Sequence, residues 1–123
     1  MAATLLNINL IKRSEIWQVN LNPTVGAEIK KVRPVVVVSS DGIGRLPIKI
    51  VAPITDWQSS FVGAHWIIRI DPDATNGLTK VSGIDTLQVR GVDTKRFILR
   101  KGRASSSVME QVAAAIAMLV EYQ

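Results

Sequence analysis

The chain has 123 residues, no cysteine and a formal net charge of +5. This length is that of one ordinary domain, and 47% hydrophobic with 20% charged residues is typical of a folded globular protein, which excludes a disordered chain. Without cysteine, neither a disulfide framework nor a thiolate metal site is possible, and a reducing cytoplasm fits. The positive charge favours polyanionic partners, nucleic acid first and an acidic protein second.

Residues 1–12 are predicted to form a loose arm ahead of a single domain over residues 13–123. The apolar stretch of the arm is too short to span a bilayer, and Lys12 and Arg13 follow it, whereas the cations of a signal peptide come first. We find no other pattern of a signal peptide or a transmembrane helix. We therefore expect a cytoplasmic protein that has no membrane partner.

Short strands separated by turn residues are predicted over most of the chain. Residues 15–21 alternate between apolar and polar side chains, which predicts a strand with one wet face. The valines at 35–38 predict a strand buried on both faces. Residues 48–54 form another apolar run, which Pro53 marks as a short, edge-like or bulged strand. Further strands are expected at residues 65–70, within 78–90 and at 97–99.

The end of the chain changes to a helical period. Ser107 and Glu110 have the spacing of a capping box, which predicts the start of a helix. Apolar residues then recur on one helical face, at positions 109, 112, 116, 119 and 120. The elements together predict a mainly β fold with a C-terminal helix packed on a small barrel or strongly bent sheet.

Arg33 is the first residue with a pattern that suggests chemistry. It directly precedes Pro34 and the valine strand, so its guanidinium would be held at the entrance of a rigid strand. Lys30 and Lys31 lie just before it, and Glu28 lies in the same loop. An isolated arginine at this place could simply cap the edge of a sheet, but the convergence of cations favours a function.

Thr55 and His65 are weaker candidates when each is considered alone. The hydroxyl of Thr55, at the end of A-P-I-T, can either face out of the sheet or satisfy a turn. His65 is the only histidine, a residue type that titrates near neutral pH, although a strand-end role is the simpler interpretation. No His, Asp and Glu residues have convincing ligand spacing, so we expect no metal and no cofactor.

Four segments follow one another along the chain: EIWQVNLNPTVGAEIKKVRPVVVVSS from Glu15, IVAPIT from Ile50, DTLQVRGVD from Asp85, and the final amphipathic helix. In this order they resemble the MazF/PemK family of toxin endoribonucleases. The resemblance covers residues 13–122, and the combination of motifs is specific although each alone is weak. It implies a small SH3-like barrel of the MazF/PemK/CcdB type, a homodimer, and cleavage of single-stranded RNA restrained by a cognate antitoxin.

Carried over by position, the resemblance implies that Arg33, Thr55 and Glu28 are the catalytic residues. In some PemK-like members an aspartate stands directly before the Q-x-R motif and is assigned a catalytic role. Leu87 occupies that place here. The chain therefore resembles the branch that uses the arginine and the threonine.

The hypothesis is a sequence-specific, metal-independent endoribonuclease, because the 2'-hydroxyl of RNA is itself the nucleophile. Arg33 would stabilise the charge that grows on the phosphoryl oxygens, and Thr55 would donate a hydrogen bond to the same phosphate. Glu28 is a better general base than an arginine, whose pKa lies above about 12. Candidate RNA-binding residues, some of which would also face an acidic antitoxin, are Lys30, Lys31, Arg45, Lys49, His65 and Arg90.

Two other interpretations assign the same fold to a protein that does not cleave RNA. One is a CcdB-like toxin that poisons DNA gyrase by binding; the Trp-Gly-Ile end of those toxins is absent, since the chain finishes with Glu121-Tyr122-Gln123. The other is a basic SH3-like adaptor that binds RNA or an acidic protein. Incubation with single-stranded RNA separates both from a nuclease.

Overall fold

The computed structural model describes residues 10–43 and 45–122. These residues form seven strands and one C-terminal α-helix, together with short 3-10 turns. The strands are β1 (Glu15–Asn20), β2 (Val32–Val37), β3 (Ile48–Asp56), β4 (Ile67–Ile70), β5 (Ser82–Asp85), β6 (Arg90–Asp93) and β7 (Phe97–Arg103), and the helix α1 spans Ser106–Leu119. The prediction of a mainly β fold with a C-terminal helix is confirmed.

The strands form one antiparallel sheet in the order β4-β5-β3-β2-β1-β7, and β6 pairs with β3 beside this path. The sheet does not close between β4 and β7 in the part of the chain that is described. Because β2 lies between β1 and β3, the valine strand and the residues at its entrance are in the interior of the sheet.

The prediction of a short, edge-like or bulged strand at Pro53 is wrong, because β3 is the longest of the described strands, pairs along both edges and keeps an unbroken register with β2 through Pro53. One edge pairs with β2, and the other pairs first with β6 and then with β5. Pro53 pairs with Val35 on the β2 edge; on the other edge it falls between Val51, which pairs with β6, and Ile54, which pairs with β5. A proline, which lacks an N–H, is tolerated inside the strand because no pair is formed there on the second edge.

The alternation along β2 sends its valines into two apolar clusters on opposite faces of the sheet. Val36 packs in the cluster that α1 covers, while Val35 and Val37 pack in a second cluster on the other face. All three are at most 1% exposed, which confirms the prediction of a strand buried on both faces. The second cluster contains Ile11, Val19, Leu21, Val51, Val92 and Phe97.

The helix α1 begins two residues earlier than the sequence pattern indicates. Its N-cap is Ser105, which has an extended backbone and accepts a hydrogen bond of 3.2 Å from the N–H of Val108. The predicted capping box at Ser107 and Glu110 is wrong, because only two residues separate the end of β7 at Arg103 from the first helical residue, Ser106. Ser107 therefore lies inside the helix. Met109, Val112 and Ala115 are the buried residues of the helix, and they pack on the sheet.

Ile11 is 1% exposed and belongs to the second cluster. The core therefore includes one residue of the predicted arm, whose residues 1–9 lie outside the described part of the chain. Among the described residues, no helix is both long and apolar enough to cross a membrane.

Candidate functional site

Arg33 and Thr55 share one face at the same end of the β2–β3 pair. The last pair of this ladder is Val35 with Pro53. Arg33 and Thr55 each lie two residues beyond it, and the strands are antiparallel, so both positions lie toward the same end. Residues two apart along a strand point to the same face. Strand register thus places the sequence-predicted arginine and threonine at the same end and on the same face of these two strands.

Arg33 does not cap the edge of the sheet. It pairs with Val19 of β1, within an interior strand, and its side chain is exposed. Its Nε donates a hydrogen bond of 3.4 Å to the carbonyl oxygen of Lys30. This bond does not involve the two terminal nitrogens, which can therefore form a two-pronged contact with an anion.

The loop between β1 and β2 carries Glu28 and is closed at its base. The N–H of Leu21 donates to the carbonyl oxygen of Lys31 at 3.0 Å, and the N–H of Lys31 donates to Oδ1 of Asn22 at 3.1 Å. Within the loop, Oε1 of Glu28 accepts a hydrogen bond of 2.6 Å from the N–H of Val25. One carboxylate oxygen of the exposed Glu28 therefore braces the loop, and Oε2 can accept a proton.

Gln88 holds this loop against the 3-10 turn that follows β5. Its Oε1 accepts a hydrogen bond of 2.6 Å from the N–H of Ile29, and its Nε2 donates to the carbonyl oxygen of Ala27 at 3.4 Å. The same Nε2 lies 3.3 Å from Oδ2 of Asp85, which fixes the orientation of the amide. We did not single out Gln88 from the sequence, although the Q-V-R motif was the signal that could have indicated it.

Arg90, the other polar residue of that motif, also contacts the loop. Its Nη1 donates a hydrogen bond of 3.1 Å to the carbonyl oxygen of Leu21. Arg96 makes comparable bonds to the carbonyl oxygens of Asn20 and Asn22. Two guanidinium groups thus secure the start of the loop, so Arg90 has a structural contact in addition to the RNA-binding role predicted for it.

A cavity of about 500 Å³ lies between the β1–β2 loop and the turn after β5. Glu28, Pro53, Gln88 and Arg90 are among the residues that line it, and neither Arg33 nor Thr55 does. The structure therefore gathers the candidate residues in two groups: Glu28 with Arg90 at the cavity, and Arg33 with Thr55 on one face at the end of β2 and β3.

Residues 12–120 of the chain match the family model described as PemK-like, MazF-like toxin of type II toxin-antitoxin system. The chain belongs to the PemK/MazF toxin family. The match spans most of the chain, which confirms the family that the motifs indicated.

Curated proteins and solved structures agree with the PemK/MazF assignment. Endoribonuclease MazF9 of Mycobacterium tuberculosis is 32% identical over 114 residues, which cover 87% of this chain and 93% of the relative. Endoribonuclease EndoA of Bacillus subtilis is 31% identical over 109 residues, covering 87% of this chain and 91% of the relative. MazF from Deinococcus radiodurans has a TM-score of 0.75 at 20% identity, covering 89% of this chain and 96% of that chain.

A MazE–MazF structure from Deinococcus radiodurans has a TM-score of 0.68 at 18% identity and covers 91% of this chain and 96% of that chain. The chain thus shares the small barrel-like fold of the MazF structures. The predicted SH3-like barrel of this type is confirmed at that level, with the sheet open between β4 and β7 in the described residues.

The candidate RNA-binding residues of this PemK/MazF chain differ in exposure. Lys30, Lys31, Arg45 and His65 are exposed. Lys49 is only 4% exposed, so the expectation that its ammonium group is available to RNA is wrong. The reason is strand parity, because Lys49 points to the same face of β3 as the buried Val51.

The position that carries an aspartate in some PemK-like members is Leu87, which is 61% exposed in the 3-10 turn beside Gln88. It provides no group that could act as an acid or a base. No cluster of three or more His, Cys, Asp or Glu side chains that could hold a metal ion occurs in the described residues.

Proposed function

We propose that this chain is the toxin of a type II toxin-antitoxin pair and that it is a sequence-specific, metal-independent endoribonuclease acting on single-stranded RNA. The observation that carries the proposal is the register of β2 and β3, which sets Arg33 and Thr55 on one face at the same end of two interior strands. The curated relatives MazF9 and EndoA are endoribonucleases, which supports the same activity.

The proposed reaction uses the 2'-hydroxyl of the substrate as the nucleophile. Its oxygen attacks the adjacent phosphorus, the bond from phosphorus to the 5'-oxygen breaks, and the 5'-oxygen takes up a proton. The products are a 2',3'-cyclic phosphate and a 5'-hydroxyl. Arg33 stabilises the charge on the phosphoryl oxygens with its terminal nitrogens, and Thr55 donates a hydrogen bond to the same phosphate.

Glu28 is the proposed general base. Its Oε1 is held by the N–H of Val25, and Oε2 receives the proton from the 2'-hydroxyl. The 2'-hydroxyl and the phosphorus that it attacks belong to one nucleotide, so that nucleotide must lie between Glu28 and the end of β2 and β3, within hydrogen-bond reach of both. The exposed Lys30 and Lys31 lie between these two places in the chain and attract the phosphate backbone.

The decisive experiment is incubation of the purified protein with single-stranded RNA, with and without EDTA. Discrete fragments with 5'-hydroxyl ends in both conditions support the proposal. Intact RNA would favour the gyrase poison or the non-cleaving adaptor, and cleavage that stops with EDTA and resumes with magnesium would contradict the metal-independent mechanism.

The proposed protein partner is a cognate antitoxin with an acidic, partly disordered segment. A MazE–MazF structure shares the fold of this chain, and the exposed cations beside Arg33 would attract acidic side chains as well as phosphates. Binding of the segment would block RNA. Simultaneous binding of antitoxin and uncleavable RNA without mutual weakening would contradict this occlusion.

We also propose that the toxin is a cytoplasmic homodimer. An apolar groove of about 490 Å³ runs along α1 and is lined by Val38, Ile50, Ile116, Val120 and Tyr122, among other residues. Val120 is 69% exposed, and a second copy would cover this surface. Val120→Asp should yield a monomer in light scattering, whereas Val62→Asp, at a 76% exposed valine outside the groove, should stay dimeric.

A further inference from the structure

Thr55 and Arg69 lie on the same face of the sheet, one on each side of Gly83. Thr55 of β3 pairs with Gly83 of β5, and Gly83 also pairs with Arg69 of β4. Residues directly opposite in antiparallel strands point to the same face. Arg69 therefore lies on the face of Thr55, two strands away, and the side chains of Phe61 and Ile67 pack over Gly83 between them.

Trp57 lies on this face as well, next to Thr55 along the chain direction. The backbone N–H of Trp57 donates a hydrogen bond of 3.0 Å to the carbonyl oxygen of Val81, so the pairing of β3 with β5 continues to Trp57. Trp57 is two residues beyond Thr55 and consequently points to the same face. The indole is half-buried, which leaves part of the ring accessible.

The ring of Trp57 is held in place by two neighbours. The guanidinium carbon of Arg69 lies 5.8 Å from the ring centroid, within the range of a cation–π contact. Phe61 packs edge-to-face against it, with a centroid distance of 5.4 Å and an interplanar angle of 84°. Phe61 also covers Gly83, since a Cβ there would lie 3.2 Å from its ring. The aromatic pair is thus anchored to the sheet beside Thr55.

Arg69 is fixed in a way that keeps its outer nitrogens accessible. Its Nε forms an ion pair of 3.0 Å with Oδ1 of Asp71, and its side chain is 58% exposed. The terminal nitrogens do not take part in that bond. They can donate to a phosphate while Nε stays paired with Asp71.

We propose that Trp57 and Arg69, supported by Phe61, form a binding subsite for one nucleotide adjacent to the cleaved phosphate, with its base stacked on Trp57 and its phosphate at Arg69. The inference rests on the proposed function, because it takes Thr55 as the residue that contacts the cleaved phosphate. Stacking on a pre-positioned ring costs little side-chain entropy and tolerates different bases. The subsite contributes substrate affinity and positioning, whereas Arg33 acts on the transition state.

The test uses two probes: a short single-stranded RNA of randomised sequence, and its fully 2'-O-methylated copy, which lacks the nucleophile. Affinity for the methylated probe is measured by fluorescence anisotropy, and cleavage is measured on the first probe. Trp57→Leu should weaken binding of the methylated probe by about tenfold or more, the size expected for loss of one stacked base. Trp57→Phe should retain most of the affinity because it keeps an aromatic face.

Arg69→Gln should reduce the slope of log Kd against log salt by about 0.7, as expected for one lost phosphate contact on a single strand. Lys80→Gln is the matched control, since Lys80 pairs at 3.8 Å with Asp56, whose strand position points to the opposite face. It should leave the salt slope unchanged. The methylated probe should also quench indole fluorescence in the parent, and this quenching should be lost in Trp57→Phe.

The possible outcomes test the nucleotide subsite and the proposed nuclease activity independently. If the parent cleaves RNA while Trp57→Leu and Arg69→Gln bind the methylated probe as tightly as the parent, the subsite is wrong and the nuclease stands. If the parent binds the methylated probe through Trp57 but cleaves no RNA, the proposed function is wrong and the nucleotide site stands. Trp57→Phe and Arg69→Gln keep the test informative if Trp57→Leu fails to fold.

Discussion

The side-chain carbonyl oxygen of Gln88 accepts a hydrogen bond of 2.6 Å from the backbone N–H of Ile29, across 59 positions of the chain. This bond joins the turn after β5 to the loop that carries Glu28. Together with the bond from Nε2 to the carbonyl oxygen of Ala27, it satisfies backbone groups on both sides of Glu28. The position of the proposed base therefore depends on a residue that does not itself react.

Replacing Gln88 should consequently affect cleavage more than stability. Gln88→Met keeps a similar volume and removes these two hydrogen bonds together with the one to Asp85, so we expect the unfolding free energy to fall by about 1 kcal/mol. Single-turnover cleavage should fall by about tenfold, because misplacing a catalytic group is costly. Gln111→Met on the exposed surface of α1 is the control. Unchanged cleavage by Gln88→Met would show that the loop holds Glu28 without this anchor.

Arg33 and Thr55 should act on the transition state with little effect on folding. Arg33→Ala should melt like the parent and lose about a hundredfold or more in single-turnover rate, the size of removing one charge-stabilising donor. Thr55→Val should lower the single-turnover rate by a smaller factor, since it removes a neutral hydrogen-bond donor. Arg33→Lys should restore little activity because an ammonium lacks the planar fork of a guanidinium.

Lys95→Ala, at an exposed lysine to which we assign no role in binding or catalysis, is the control for loss of charge. The measurement is cleavage of a short RNA by enzyme in excess, with a thermal melt of each variant. If Arg33→Ala and Thr55→Val both cut like the parent, the two residues do not belong to the active site.

Glu15 should be important for stability, because its carboxylate is buried and fully engaged. Oε1 accepts hydrogen bonds from the N–H of Lys12 at 2.8 Å and from Nε1 of Trp17 at 3.1 Å. Oε2 lies 3.1 Å from Nε of Arg100 and 3.8 Å from Nη2 of Arg103. The Glu15 side chain is 6% exposed while both arginines are half exposed, so solvent screens the ion pairs only in part.

Glu15→Ala should lower the unfolding free energy by about 1–3 kcal/mol, since it leaves partly buried donors without an acceptor. Asp56→Asn is the control: it breaks an exposed pair with Lys80 and should cost at most about 1 kcal/mol. Denaturant unfolding measures both. Equal losses in the two variants would contradict the role assigned to Glu15.

Asp73 should make stability depend on pH in the acid range. The backbone N–H groups of Thr75 and Asn76 donate to Oδ1 of Asp73, and these bonds lower the pKa of Asp73 below its ordinary value of 3.8. Because the pKa of Asp73 is lower in the folded state than in the unfolded state, ionisation of Asp73 stabilises the folded protein. This contribution is complete above the pKa of the unfolded state and is lost as the pH falls through the pKa of the folded state. Asp73→Asn should therefore flatten the fall in melting temperature below about pH 4.

Thr75→Val is the matched variant for that experiment. It removes the hydrogen bond of 3.0 Å from the Thr75 hydroxyl to Asp73 and keeps the backbone N–H. It should therefore change the fall in melting temperature at acid pH less than Asp73→Asn does. Melting curves between neutral pH and the acid limit check both. If the melting temperature falls identically at acid pH in the parent and in Asp73→Asn, Asp73 does not contribute to that fall.

The sequence alone determined the features that depend on local pattern and on motif order. The valine run predicted a strand buried on both faces because continuous apolar residues cannot present a wet side, and Val35–Val37 bear this out. The order of the motifs indicated the PemK/MazF family, which the family match confirms. Arg33 and Thr55 were candidates from their motifs, and their catalytic roles stay predictions.

Only the tertiary structure decided which strands are neighbours and which faces are covered. Pro53 indicated an edge strand by its chemistry, yet it lies inside the sheet where the partner of β3 changes from β6 to β5. Lys49 is buried because of its strand parity, and Arg69 shares the face of Thr55 because both pair with Gly83. These relationships arise from the register between segments that are distant in the chain, and register is set by the packing of the whole sheet rather than by the residues nearby.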